Sequence, residues 1–160
     1  FIRRLLTGQE PGRDGSPYRP DERAMGLLFA ADRLAHSGVI TDAVSRGNGI
    51  WERSLLSSLA YQTLDASITA QWVIDVNRGC AIPDLTLFVD VRVDVCLARI
   101  GGRNAEKSIY ETKSQLETIA ANYERMLASY EERFGRVLRI DGSGSVDDVH
   151  AAGLQAVNSR

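Results

Sequence analysis

Two short segments contain the residues best suited to bind a phosphorylated ligand that carries an aromatic base. In the first segment, Phe29 and Arg33 are four positions apart, so a helix places them on the same face. The aromatic ring can stack on a base, and the guanidinium can donate to the edge of that base. The spacing alone also fits a core phenylalanine beside a surface arginine, so both interpretations stay open at this point.

The second segment begins at Glu52 and Arg53. It follows a short apolar stretch, Gly49 to Trp51, that we predict to be a buried strand. Parallel sheets bind ligands at the carboxyl ends of their strands, and the planar fork of an arginine suits a phosphate better than a lysine does. The pattern therefore predicts a phosphate contact at Arg53, with a surface ion pair as the alternative.

Composition narrows the class of protein. The chain has 160 residues, of which 44% are hydrophobic and 25% are charged, and its net charge is -2. These values are ordinary for one globular domain, and they give no electrostatic case for a nucleic acid partner. No apolar run is long enough for a membrane span. Two cysteines and two isolated histidines do not have the spacing of a metal site, and reduced thiols without a secretory signal predict a cytoplasmic location.

The hydrophobic pattern predicts helices that alternate with strands. Asp21 is a suitable N-cap for a helix that the pattern continues to about His36, and a separate helical segment is predicted from Val39 to Ser45. Leu85 to Val91 is the clearest strand, because its nearly continuous apolar run is typical of a parallel strand covered on both faces. The other predicted elements are helices at Ile2 to Leu6, Ser54 to Gln62, Ser67 to Asn77, Val93 to Arg99, Ile109 to Phe134 and Val146 to Val157, a strand at Arg136 to Asp141, and a loop at Gln9 to Pro20. This alternation predicts an α/β fold with a parallel sheet.

In their order and spacing, Leu28 to Arg33 and Glu52 to Gln62 resemble the nucleotide-acceptor site of the thymidylate kinase family. The resemblance extends over nearly the whole chain. It implies a P-loop NTPase-like three-layer sandwich around a parallel sheet of strand order 2-3-1-4-5. It also implies transfer of the γ-phosphate of ATP to dTMP, with Mg²⁺ bridging the ATP phosphates, and it implies a homodimer.

The phosphate loop of that family, G-x-x-x-x-G-K-[ST], does not occur in the sequence. The first two strands of the family's sheet have no counterpart among the predicted elements, and the strand that carries the phosphate loop is central in that sheet. We therefore expect residues 1–160 to form a single thymidylate-kinase-like domain that is N-terminally incomplete. Because a missing central strand leaves unpaired edges, we expect these residues alone to fold poorly and to be inactive.

The resemblance assigns roles in the acceptor site residue by residue. It implies that Phe29 packs on the base and that Arg33 reaches a base oxygen, with Asp32 as an orienting residue. Arg53 is predicted to hold the acceptor phosphate and to be catalytic. The remaining predicted substrate contacts are Ser58 at the base edge, Tyr61 beside the deoxyribose, where it disfavours a 2′-hydroxyl, and Gln62 and Tyr123.

Glu52 stands where the family has an aspartate that helps to organise the reacting phosphates and metal, and Ser54 stands where the family has an aromatic residue. We predict a catalytic role for Glu52, but its extra methylene displaces the carboxylate by about a bond length, and phosphoryl transfer depends on placement. The resemblance therefore leaves two alternatives. One is a kinase-like protein that binds a nucleotide or another protein without transfer. The other is a kinase for a different monophosphate, because Ser58 is shorter than the asparagine often found there.

A basic stretch follows the predicted helix that ends near Arg99. Two glycines permit hinge motion, and the cations can reach phosphates. Together with Tyr110 and Glu111, this stretch resembles the lid over the ATP phosphates, at about residues 99–112. Arg99, Arg103 and Lys107 are therefore candidate ATP contacts, with Arg103 also a candidate catalytic residue; a solvated basic loop is the alternative.

Overall fold

The computed structural model of the chain describes residues 1–102, 108 and 110–159. The two strands among these residues are separated by helices, as the sequence pattern predicts. The elements are α1 (Ile2–Leu6), α2 (Glu22–Val44), α3 (Leu55–Gln62), α4 (Ala70–Val76), β1 (Leu85–Asp90), α5 (Val93–Gly101), α6 (Lys113–Phe134), β2 (Arg136–Asp141) and α7 (Val146–Asn158). Within the described residues, no helix is both long enough and apolar enough to cross a membrane.

β1 and β2 are parallel neighbours, with Leu85 opposite Arg136 and Asp90 opposite Asp141. Parallel strands need a crossover connection, and α5 and α6 lie in that connection. The α/β prediction with a parallel sheet is therefore confirmed. The pairing also fits the implied strand order, in which the last two strands are neighbours.

The prediction of a strand at Gly49 to Trp51 is wrong. The backbone there is irregular, and Ile50 is fully exposed at 100%. A short apolar run predicts a strand from its composition alone, but a strand forms only where a neighbour satisfies its backbone groups. Among the described residues, β1 and β2 pair only with each other.

α2 is one continuous helix where the sequence predicts two segments. Its N-cap is Asp21, as predicted, and the side chain accepts the backbone N–H of Ala24 at 2.7 Å. The helix continues through the expected break because Ser37 is held by a contact outside the helix. Its hydroxyl accepts the backbone N–H of Ala81, in the segment between α4 and β1, at 3.0 Å. This tertiary contact overrides the weak local helix propensity of Gly38.

The core lies between α3, α4 and α6. Its buried members are Leu55, Leu56, Leu59, Ile68, Val73 and Tyr130. A polar contact also fixes α6 against α3, because Asn122 Nδ2 donates to the backbone oxygen of Ala60 at 3.1 Å. These contacts set the position of α3, on which several predicted site residues lie.

The turn that follows β2 requires a glycine. Gly142 donates its backbone N–H to the backbone oxygen of Asp90 at 2.7 Å. A Cβ atom at this position would lie 2.5 Å from side-chain atoms of both Val89 and Val91. The close approach of the two chain segments therefore leaves no room for a side chain.

We predict that Gly142→Ala lowers the free energy of unfolding by about 1–3 kcal/mol, the usual cost of overpacking. The matched control is Gly38→Ala, because a Cβ at this exposed helical position meets no atom within 4 Å. There the change should raise the free energy of unfolding by about 1 kcal/mol, since alanine is the better helix former. Urea unfolding followed by circular dichroism measures both values. Equal effects of the two substitutions would contradict the steric argument.

Candidate active site

A cleft of about 840 Å³ lies between α2, α3 and α5. Both segments singled out in the sequence contribute to it. The predicted site residues that line the cleft are Phe29, Asp32, Arg33, Glu52, Arg53, Ser58, Tyr61, Gln62 and Arg99. Tyr123 is not among the lining residues, and Arg103 and Lys107 lie outside the described residues. The structure thus brings most of the predicted site together, while the individual roles stay predictions.

Arg33 is half-buried, and helices α2 and α3 and the end of α4 meet around its guanidinium. Nη2 donates to Ser58 Oγ at 2.8 Å, and Nη1 donates to Asn77 Oδ1. In the described part of the chain, the hydrogen bonds of this guanidinium therefore go to neutral side chains. Burial lowers the pKa of Arg33 from its ordinary value, as expected for a charge removed from water.

Asp32 points along α2 towards His36. The His36 ring nitrogen Nδ1 lies 2.8 Å from the Asp32 backbone oxygen and 3.8 Å from its carboxylate. The two residues are one helical turn apart, and both are exposed. The contacts that hold Arg33 thus come from Ser58 and Asn77, and the predicted orienting role of Asp32 stays a prediction.

α3 presents two buried polar side chains to the cleft. Ser58 is 3% exposed and Gln62 is 1% exposed, and they are one turn apart on the helix. Gln62 Oε1 has no hydrogen-bond partner within the residues that the structure describes. An unsatisfied buried acceptor costs about 1–3 kcal/mol. A ligand that donates a hydrogen bond to Gln62 would remove this cost.

Arg53 has an unusual backbone conformation. Its φ of 63° is the only positive value at a non-glycine position among residues 1–102, 108 and 110–159. Left-handed conformations of this kind cost on the order of 1–3 kcal/mol and occur often at ligand sites. The guanidinium carbon lies 5.1 Å from the ring centroid of Tyr61. Desolvation at the cleft lowers the pKa of Arg53, but its interactions with Tyr61, Tyr123 and Glu52 outweigh this effect, so the pKa lies above its ordinary value.

Glu52 is exposed and lines the same cleft. The neighbouring Ser54 is buried and forms the N-cap position of α3. In the described ranges, no group of three or more histidine, cysteine or acidic residues has the arrangement of a resident metal site. Glu52 is thus an exposed carboxylate at the cleft that does not belong to such a group, and its catalytic role stays a prediction.

Tyr61 packs against other aromatic side chains. Its ring packs edge-on against Tyr110, with centroids 5.2 Å apart, and against Tyr123, with centroids 6.3 Å apart. Tyr123 also packs on Phe88 at 5.2 Å and donates to Ser57 Oγ at 3.1 Å. In this arrangement Tyr123 holds Tyr61 in place, and its predicted direct contact with substrate stays a prediction.

Arg99, the first of the predicted lid cations, is bonded to the turn after β2. Its guanidinium donates to the backbone oxygens of Gly142 at 2.8 Å, Ser143 at 3.2 Å and Gly144 at 2.9 Å. These bonds join the end of α5 to the turn that precedes α7. The proposed contact of Arg99 with ATP stays a prediction, as does the lid itself.

Two residues that hold the site were missed by sequence reasoning. Asn77 accepts from Arg33, and Glu22 accepts from the hydroxyl of Tyr110 at 3.0 Å. The partners are 44 and 88 positions apart in the sequence. No local pattern connects residues at such separations, so the sequence contains no signal for either contact.

Glu22 gives a prediction about pH. Burial raises the pKa of its carboxyl, and the hydrogen bond from Tyr110 only partly offsets this effect. A carboxyl whose pKa is raised by folding stabilises the fold when it is protonated, and that stabilisation is lost as the pH rises through the folded value. Glu22→Gln should therefore raise the free energy of unfolding at about pH 7 and have little effect near pH 4, where glutamate itself is largely protonated.

Urea unfolding at both pH values measures this difference. The control is Glu132→Gln, which changes an exposed glutamate on α6. It should leave the pH dependence of the wild-type protein unchanged. A Glu22→Gln variant that is less stable than the wild type at neutral pH would show that the hydrogen bond outweighs the cost of burying the charge.

The sequence of the chain matches known proteins of one family. The family model for thymidylate kinase matches residues 2–152. The probable thymidylate kinase of Thermococcus onnurineus is 35% identical over 154 residues, which is 94% of this chain and 72% of that protein. The putative thymidylate kinase of Aeropyrum pernix is 35% identical over 146 residues, which is 88% of this chain and 66% of that protein.

A solved structure shows the same fold. The thymidylate kinase of Candida albicans superposes with a TM-score of 0.71 at 21% identity, over 99% of this chain and 72% of that one. The fold prediction is therefore confirmed. The family match includes both segments that line the cleft, and it covers nearly all of the sequence. On these grounds the chain belongs to the thymidylate kinase family.

Proposed function

We propose that the protein is a nucleoside monophosphate kinase that transfers the γ-phosphate of ATP to dTMP, giving ADP and dTDP. The observation that supports this best is the pairing of a fixed donor with an unpaired acceptor in one cleft. Arg33 is the donor, and the Oε1 atom of Gln62 is the acceptor. They are close because Ser58, which bonds to Arg33, is one turn from Gln62 on α3.

The edge of a thymine ring has the complementary pattern. Its O4 oxygen accepts a hydrogen bond, and the adjacent N3–H group donates one. In the proposed complex, Arg33 donates to O4 and Gln62 accepts from N3–H, so the buried Oε1 atom becomes satisfied. Phe29 stacks on the ring face, and the Ser58 hydroxyl lies at the base edge.

Arg53 is proposed to hold the phosphate of the acceptor nucleotide. A guanidinium can form two parallel charge-assisted bonds to a phosphate, and the ring of Tyr61 fixes this one at 5.1 Å. Tyr61 would then lie beside the deoxyribose. The left-handed backbone at Arg53 fits this role, since strain of this kind is common where a side chain must be aimed at a ligand.

The second substrate is ATP with its Mg²⁺ ion, which neutralises charge on the phosphates. Phosphoryl transfer asks the protein mainly to position the two nucleotides and to neutralise charge that develops between them. Arg53 is proposed to do so at the acceptor phosphate, and Glu52 to help position the reacting groups. Arg99, Arg103 and Lys107 are proposed ATP contacts, with Arg103 also acting on the transferred phosphate.

We also propose that the protein works as a cytoplasmic homodimer, as the family resemblance implies. The exposed side of α2 supports the dimer. Leu27 and Leu34 are two turns apart on this helix and are 51% and 53% exposed. An apolar row of this kind is common where two subunits meet.

An assay of the protein as its gene encodes it, with ATP, Mg²⁺ and dTMP, tests the reaction, with ADP and dTDP measured together. We expect turnover, and in competition we expect dTMP to be preferred over dCMP. Cytosine presents an amino donor where thymine presents O4, and the guanidinium of Arg33 can only donate. Including dUMP and dGMP tests the alternative of a different monophosphate substrate.

Binding of dTMP without turnover would favour the second candidate, a kinase-like protein that binds nucleotide but does not transfer phosphate. Glu52 and Ser54, which depart from the family pattern at the position of its aspartate and aromatic residue, are the observation that favours it. Turnover above the level without enzyme would exclude it.

We predict that Arg53→Ala weakens dTMP binding about tenfold to hundredfold, because a charge-assisted bond is worth about 1.5–3 kcal/mol. The fold should be kept, since the side chain lies at the cleft and outside the core. Calorimetric titration measures the affinity, and a thermal melt checks the fold.

The matched control is Arg78→Ala. Arg78 pairs with Asp75 at 3.0 Å, its side chain is 83% exposed, and it does not line the cleft. This variant should bind dTMP as the wild type does. An Arg53→Ala variant with unchanged affinity would mean that other residues hold the phosphate.

A further inference from the structure

Asn77 is a buried residue that, among the described residues, contacts the lining of the candidate site through Arg33. It is 3% exposed and forms the C-cap of α4. Its Oδ1 atom accepts from Nη1 of Arg33, and its Nδ2 atom donates to the backbone oxygen of Val73 at 2.7 Å. We propose that Asn77 is a positioning residue that sets the selectivity of the protein for the nucleobase. This inference rests on the proposed binding of a nucleoside monophosphate.

The chemistry of the two partners fixes the orientation of the Asn77 amide. A guanidinium can only donate, so the oxygen of the amide must face Arg33. A backbone carbonyl can only accept, so the nitrogen must face Val73. The amide therefore cannot rotate by half a turn without losing both bonds, and it presents a stationary acceptor to Arg33.

The guanidinium of Arg33 is held at two different nitrogens. Nη1 is bonded to Asn77 at the end of α4, and Nη2 is bonded to Ser58 on α3. Because the guanidinium is planar, two anchors from separate helices fix the plane as well as the position of the group. Without Asn77, Ser58 is the one anchor that remains among the described side chains, and the plane can turn about it.

Two substitutions separate the bonds of Asn77. In Asn77→Ser, the short hydroxyl can bond to the backbone oxygen four residues earlier, as serine commonly does in helices, but it cannot reach Arg33. In Asn77→Asp, the side chain keeps an acceptor for Arg33 but has no donor for Val73. If Asn77 only stabilises the fold, Asn77→Asp should be less stable than Asn77→Ser. If Asn77 positions Arg33, Asn77→Ser should lose more base selectivity than Asn77→Asp.

The measurement is the ratio of two affinities, for dTMP and for 2-deoxyribose 5-phosphate, which lacks the base. We expect Asn77→Ser to reduce this ratio about tenfold, the effect of one lost charge-assisted bond. Its affinity for 2-deoxyribose 5-phosphate should stay unchanged, because Arg53 is untouched. Asn77→Asp should keep the ratio within about threefold of the wild type, which is less than the effect of one hydrogen bond.

The control is Asn122→Ser. Asn122 is also buried, at 7% exposure, and it also bonds to a backbone oxygen and to an arginine, Arg125 at 2.6 Å. That arginine does not line the cleft, so this variant should keep the wild-type ratio. Thermal melts verify that each variant is folded.

The outcomes are distinct. A wild-type ratio in Asn77→Ser, or an equal loss in Asn122→Ser, overturns the positioning role while leaving the proposed function intact. A wild-type protein that binds dTMP no more tightly than 2-deoxyribose 5-phosphate overturns the proposed base recognition and this inference with it. If Asn77→Ser does not fold, Asn77→Asp decides the question, because a loss of the ratio in that variant also contradicts the proposal.

Discussion

The burial of the Arg33 guanidinium among three helices is the interaction on which the rest of the site depends. A buried charge is costly unless polar groups surround it, and here the groups come from α3 and from the end of α4. The three helices must therefore pack in one relative position if the Arg33 guanidinium is to keep both hydrogen bonds. The same requirement that favours one packing of these helices also fixes the donor that faces the cleft.

α3 connects the core to this site. Leu55, Leu56 and Leu59 bury one side of the helix against α4 and α6, while Ser58 and Gln62 lie where the helix meets the cleft. A helix buried on nearly all sides has little freedom to move. Its one unsatisfied acceptor, among the buried side chains of α3 that the structure describes, is thus held in place for a ligand.

Local patterns predicted the features that depend on neighbours in the chain. The four-residue spacing of Phe29 and Arg33 placed both at one cleft, and Asp21 caps α2 as its residue type indicates. The errors and omissions all involve distant contacts. Ile50 is apolar yet exposed, because no described strand pairs with its segment, and Asn77 meets Arg33 from 44 positions away. No local sequence pattern indicates either fact.

The two halves of the acceptor site are held by different physical means. In the proposed complex, base recognition would depend on side chains fixed between packed helices, whereas the phosphate contact would depend on Arg53, whose backbone is strained and whose side chain rests on Tyr61. Glu52 belongs to the second half, since it adjoins the strained residue and is exposed. Under the proposed function, the departure from the family pattern at Glu52 therefore bears on the transfer step, which is sensitive to placement. The residues proposed to choose the base are not changed by this departure.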